Sequence, residues 1–237
     1  MKTRLAFVLA LTGLLVAFAS FAKDKTAATD SWRETLVCPD EAFTNDGRNT
    51  FFILEPGYQL VLAGDEGGRK TEVTITVLKE TQDIAGVPAR VVEERETADG
   101  KLVEVSRNFY VIGVNTKNAC YFGEDVDMYG AGGKVTHEGA WREGNGGAQH
   151  GVMLPGAIKI GDRYYQEKAP GVAQDRAENV STNQTVKTPG GTFKHCLKVR
   201  ETTPLEPDNV EFKFYAPDIG LVQDGNLKLV RHGFVQK

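Results

Sequence analysis

Thr71-Glu72-Val73-Thr74-Ile75-Thr76-Val77 alternates branched apolar residues with polar ones at a period of two. Successive side chains of a strand point to opposite faces, so one face of this run is apolar and the other wet. Two longer runs follow, 87–97 and 101–112, separated by Ala98-Asp99-Gly100. Asp-Gly tolerates the positive φ that a two-residue hairpin turn requires. In the second run Val103, Val105, Phe109 and Val111 share one face.

The same grammar extends both ways. On the N-terminal side, 50–54 is a short β-prone run closed by Glu55-Pro56-Gly57, and 58–63 is a further strand ending in Gly64-Asp65-Glu66-Gly67-Gly68. On the C-terminal side, strands are expected at 163–168, 178–187, 192–202, 209–215, 221–223 and 227–231, with turns at Pro189-Gly190-Gly191 and Asp224-Gly225-Asn226. A weak helix is expected at 172–179. Strands joined by short turns, without alternating helices, make an all-β fold. The expectation is one curved antiparallel sheet, half-barrel or sandwich-like, over 50–237, preceded by an irregular arm at 23–49.

Composition sets outer limits. The 237 residues are 41% hydrophobic and 25% charged, which excludes a disordered chain and a helical membrane protein. A net charge of −4 offers no basic surface for nucleic acid. Of the 26 glycines, eleven fall between 123 and 162. A long glycine-rich excursion inside a compact domain is where binding loops concentrate. It is expected to form loops over one face of the sheet.

Lys2 and Arg4 precede an apolar run at 5–18, which ends before Ser20-Phe21-Ala22. This is the pattern of a signal peptide over 1–22. The run is shorter than the roughly 20 residues that span a bilayer. Its removal leaves no membrane span and a periplasmic or secreted protein. In that oxidising setting two of Cys38, Cys120 and Cys196 can pair. Cys38–Cys120 is the preferred disulfide, because it would staple the N-terminal arm to the sheet; three reduced cysteines are the alternative. No C-x-x-C spacing supports a metal site.

Trp141, Tyr164, Tyr165 and Tyr129 surround the glycine loops, with Glu138, Glu143, Gln166 and Glu167 among them. Aromatic walls with a few polar groups suit a small-ligand site. The favoured reading is a non-enzymatic binding module for a small or apolar ligand, or a cell-envelope partner, held by Trp141, Gln149, Met153, Tyr165 and Glu167. One alternative is an envelope hydrolase with paired carboxylates drawn from Glu138, Glu143 and Glu167. Another is a domain stabilised by calcium, the one cofactor considered, through an acidic loop at Glu124, Asp125 and Asp127.

His137, His150 and His195, with Met153, lack the spacing of a transition-metal site. His195 is expected on an apolar face with Phe193, Leu197 and Val199, lining core or pocket. Cys196 is expected on one strand face with Lys194, Lys198 and Arg200, where positive charge would lower its pKa, but a covered or disulfide-bonded cysteine is the favoured reading. There is no G-x-S-x-G, phosphate loop or dinucleotide fingerprint.

Several stretches resemble a group of exported bacterial β-proteins of uncharacterised function. They are Cys120-Tyr121-Phe122-Gly123-Glu124-Asp125; Glu138-Gly139-Ala140-Trp141 leading to Gly147-Ala148-Gln149-His150-Gly151-Val152-Met153-Leu154-Pro155; and Tyr165-Gln166-Glu167 with Pro170-Gly171-Val172-Ala173. Two more are Gly191-Thr192-Phe193-Lys194-His195-Cys196-Leu197-Lys198-Val199 and Tyr215-Ala216-Pro217-Asp218-Ile219-Gly220-Leu221-Val222. The resemblance covers roughly 50–225 and implies an exported antiparallel β-domain, without catalytic residues. His150 stands where that pattern has proline.

Overall fold

The computed structural model describes residues 32–235; the expected signal peptide, 1–22, and the start of the arm lie outside the described residues. Strand β1 (Phe43–Thr44) belongs to the arm. Strands β2 (Tyr58–Glu66), β3 (Arg69–Ile84), β4 (Val87–Ala98), β5 (Lys101–Gly113) and β6 (Ala119–Tyr129) form a meander. Short pieces follow: β7 (Val135–Thr136), β8 (Trp141–Arg142), β9 (Gln149–Leu154), β10 (Arg163–Tyr165) and β11 (Glu167–Lys168). A second meander comprises β12 (Arg176–Thr188), β13 (Gly191–Thr203), β14 (Glu206–Ala216), β15 (Gly220–Asp224) and β16 (Leu227–Phe234).

The pairing is antiparallel and runs β10-β12-β13-β14-β15-β16-β2-β3-β4-β5-β6-β9-β11. The two ends of that order, β10 and β11, are separated in the chain only by Gln166, so the sheet curls into a nearly closed barrel. The Gln166 amide donates to the Asp175 carbonyl at 2.8 Å, continuing the seam. Gly151 of β9 faces this seam. A Cβ there would run into the Tyr165 carbonyl and come within 2.6 Å of the Gln166 carbonyl.

The alternation at 71–77 sets the inside and outside of the wall. Leu62, Val73 and Glu96 lie side by side across β2, β3 and β4, and all three line the interior. Outward positions of the same strands carry Glu72, Thr74, Thr76, Glu93 and Arg95. This is the reverse of the apolar-out band of a membrane barrel. Among the described residues no helix is long and apolar enough to cross a membrane. The expected hairpin is formed, with Asp99 at φ 49° and Gly100 at φ 75°. The Asp99 carboxylate also accepts the Lys70 amide at 3.0 Å.

One end of the barrel is plugged by the segment 49–54. The Asn49 side-chain amide donates to the carbonyls of Lys117 at 3.1 Å and Leu154 at 3.3 Å, while its Oδ1 accepts the Phe51 amide at 2.9 Å. Phe51, Ile53 and Leu54 are buried as a result. The β-prone run expected at 50–54 is therefore a plug, joined to the arm by the Arg48–Ile53 bridge. The arm is held by β1 against β5 and by the Cys38–Cys120 disulfide, which has the expected pairing. Its cysteines are 82 residues apart, a closure worth about 4–5 kcal/mol in the chain-entropy model.

Several local expectations change. The glycine-rich stretch does not fold over a face of the sheet. Its first part is the regular strand β6, and the rest runs along the edge of β6 as β7, β8, two 3-10 turns and β9. It is a section of wall. The helix expected at 172–179 is absent: Ala173 bridges Ala169, and β12 starts at Arg176. Here pairing with β10 and β13 overrides a weak local preference. His195 is exposed at φ 56°. Between Gln184↔Cys196 and Val186↔Phe193, β13 carries one extra residue, and that bulge breaks the alternation. Cys196 is buried, as the covered reading expects, and burial pushes its thiol pKa up.

Candidate functional site

The barrel encloses a cavity of about 160 Å³. That is several times the room one water needs and below the roughly 300–1,000 Å³ of drug-sized pockets. Its apolar wall comes from the plug (Phe51, Phe52, Ile53) and from β2, β3, β15 and β16 (Tyr58, Leu60, Leu62, Val73, Ile75, Leu221, Leu227). The rest of the ring is acidic. Glu94 and Glu96 come from β4, Glu104 from β5 and Glu124 from β6. Glu167 of β11, Asp175, Glu211 of β14 and Asp224 of β15 complete it.

Lys213 is the single cation lining the cavity among the described residues. Its ammonium lies 2.8 Å from Glu201 and 3.9 Å from Asp224. Burial opposes its charge, but Asp224 and Glu201 more than reverse this, and its pKa stands well above the ordinary lysine value. Glu201 also accepts the Gln166 side-chain amide at 3.0 Å, tying the ion pair to the seam. Burial, with the charge of Glu201 adding, raises the Glu167 carboxyl above its usual range. The Glu167 Oε1 accepts the Asp175 amide at 2.7 Å.

A row of rings runs from the plug into the wall. Phe52 meets Tyr110 edge-on at 5.1 Å, Tyr110 stacks on Tyr121 at 4.7 Å, and Tyr121 meets Trp141 edge-on at 5.2 Å. The Tyr121 hydroxyl donates to Asn108 Oδ1 at 2.6 Å. Tyr215 lines the cavity at 3% exposure, and its hydroxyl has no hydrogen-bond partner among the described residues. Burial pushes the Tyr215 pKa well up, and the charge of Glu201 adds to this.

The five residues expected to hold a ligand do not converge. Met153 and Glu167 line the cavity. Trp141 is buried within the wall, its ring against Tyr121, and borders a separate shallow pocket with Arg142, Ala169 and Pro170. Gln149 is exposed on β9. Tyr165 packs on Trp32 at 6.3 Å and under the Lys168 ammonium at 4.8 Å, outside the cavity.

The acidic residues considered for calcium sit on β6, where strand alternation puts Glu124 on the inner face and Asp125 and Asp127 on the outer one. Register passes from Phe109↔Gly123 to Tyr110↔Tyr121, so Phe122 is the extra residue. Glu124 lines the cavity, whereas Asp125 is paired with Arg142 at 2.7 Å and Asp127 with Arg107 at 3.4 Å. Among the described residues no group of three or more His, Cys, Asp or Glu could hold a metal ion. The carboxylates considered for hydrolysis are likewise dispersed. Glu138 is exposed, Glu143 is held by the amide and ring of His150, and Glu167 lies inside.

Sequence reading passed over Glu94, Glu96, Glu104, Glu211, Lys213, Asp224 and Tyr215. Alternation gives a partial signal, because Val92, Glu94 and Glu96 share a face of β4; a bulge at Val103, which the Asp99-Gly100 turn does not announce, then sets Glu96 opposite Glu104. A like-charge cross-strand pair is unfavourable on a bare surface, so its presence marks that face as special. Comparison with known protein families, curated proteins and solved structures finds no match.

Proposed function

We propose that this protein is an exported, non-enzymatic binding module that holds a small ligand, part of it apolar, inside its barrel. The observation that carries this reading is the cavity inside the barrel, with an apolar wall on one side and a ring of polar groups on the other. Export is supported by the signal-peptide pattern of 1–22 and by the disulfide, a bond that persists in oxidising compartments. The wall is stiff where the ligand would sit, because Lys213, Glu201 and Gln166 tie β14, β13 and the seam together.

An NMR titration of the purified protein with octan-1-ol tests this. Chemical-shift changes centred on Leu62, Val73, Ile75 and Met153 are expected. Changes confined to the surface around Trp141, Gln149 and Tyr165, or none at all, would overturn the reading.

A further inference from the structure

We propose that the ligand is an uncharged molecule of one ring bearing a hydroxyl group, of the size of benzyl alcohol; this rests on the barrel interior being the binding site. The cavity has a volume of about 160 Å³. An apolar cavity of about 150 Å³ takes up a single benzene ring, so one ring with a short substituent fills this one. Phe51, Phe52, Tyr58, Tyr110, Tyr121 and Tyr215 all line it. Aromatic rings pack on one another edge-to-face or offset, with a favourable contribution beyond the area they bury. A lining this rich in rings therefore suits a ring better than a flexible chain, which would also lose rotamer freedom on entry.

The charged groups of the lining are already engaged. The Lys213 ammonium lies 2.8 Å from Glu201 and 3.9 Å from Asp224. Each of the eight lining carboxylates has a hydrogen bond, ion pair or electrostatic contact of its own; for Glu167 these include the Asp175 amide at 2.7 Å. A charge taken out of water needs a counter-charge to repay its lost hydration. An anion would have to draw Lys213 from its carboxylates, and a cation would have to displace the partners those carboxylates hold. An uncharged ligand meets neither cost, and its apolar ring is placed against the apolar wall.

Tyr215 supplies the polar contact. Its hydroxyl is buried without a hydrogen-bond partner among the described residues. It lies within electrostatic reach of Glu201, Lys213 and Asp224, the last two in the same lining. A buried hydroxyl left unbonded is costly. A phenol can donate one hydrogen bond and accept others. A ligand hydroxyl can take either part, so it satisfies Tyr215 in whichever role the neighbouring charges leave to it.

NMR titration of the purified protein, read at the methyl groups of Leu62, Val73 and Ile75, tests the assignment. Benzyl alcohol is expected to bind about ten-fold more tightly than benzylammonium or benzoate, which share its ring but carry a charge. 2-Naphthylmethanol has a second ring and is expected to bind less tightly than benzyl alcohol, despite its larger apolar area. These comparisons need no variant. Tyr215→Phe, with its fold verified by circular dichroism, should weaken benzyl alcohol about two- to ten-fold, the worth of one hydrogen bond, and leave toluene unchanged. The assignment is overturned, while the barrel-site reading stands, if a charged analogue binds as tightly as benzyl alcohol or if 2-naphthylmethanol binds more tightly. It is overturned equally if Tyr215→Phe leaves benzyl alcohol unchanged or weakens toluene as much. If neither these compounds nor octan-1-ol shift those methyl signals, both fall.

Discussion

Replacing Lys213 with methionine probes the electrostatics of the barrel interior. The Glu201 side chain is 1% exposed and that of Lys213 14%, with 2.8 Å between their charged atoms. Methionine fills much of the volume of the lysine stem, so packing changes little while the ammonium is lost. Glu201 then keeps the Gln166 amide at 3.0 Å but loses the charge that compensates its burial. Removing one partner of a buried ion pair costs about 3–5 kcal/mol. A double variant, Lys213→Met/Glu201→Gln, removes both charges and should recover most of that loss, because a neutral amide needs no counter-charge. The assay is urea unfolding of the two variants and the parent, comparing midpoints at equal m-values. The reasoning is refuted if Lys213→Met costs less than about 1 kcal/mol, the level of an exposed pair, or if the double variant is no more stable than the single one.

Gly151→Ala should loosen the barrel seam, because the new Cβ collides with the backbone of Tyr165 and Gln166. A cost of about 1–3 kcal/mol is expected, with faster amide exchange in β9 and β11 than elsewhere; unchanged exchange there would contradict the closure. Glu167 gives a pH signature. Burial raises its carboxyl pKa in the folded state above 4.5. Between those two values the native state binds more protons than the unfolded one, so this group's contribution to stability falls as pH rises. Glu167→Gln keeps an oxygen for the Asp175 amide and removes the titration. The melting temperature of the variant relative to the parent should therefore climb from pH 4.5 toward neutrality, and a flat difference would exclude the effect.

The parts legible in the sequence are those set by local pattern. The alternation at 71–77 and the Asp99-Gly100 turn determine strand and face for β2 to β4 and the start of the β4–β5 pairing, whereas bulges between Val77 and Thr81 and at Val103 shift the register beyond them. Three kinds of feature were not legible. Bulges at Phe122 and near His195 each add one residue, and every later side chain on the strand changes face. That is why His195 is exposed. Closure between β10 and β11 depends on pairing with β12 and β9, far apart in the chain, and no local signal announces it. Finally, carboxylates at inward positions run against the rule that apolar faces turn inward. Nothing local marks Glu94, Glu96 and Glu104 as interior, whereas the glycine-rich stretch, which resembles binding loops, builds wall.

Intermolecular nuclear Overhauser effects from a bound octyl chain test most directly whether a ligand enters the barrel. Contacts are expected to the methyl groups of Leu62, Val73, Ile75 and Leu227, which line the cavity. Contacts instead to Ala169 and Val172, which border the shallow pocket beside Trp141, would contradict it.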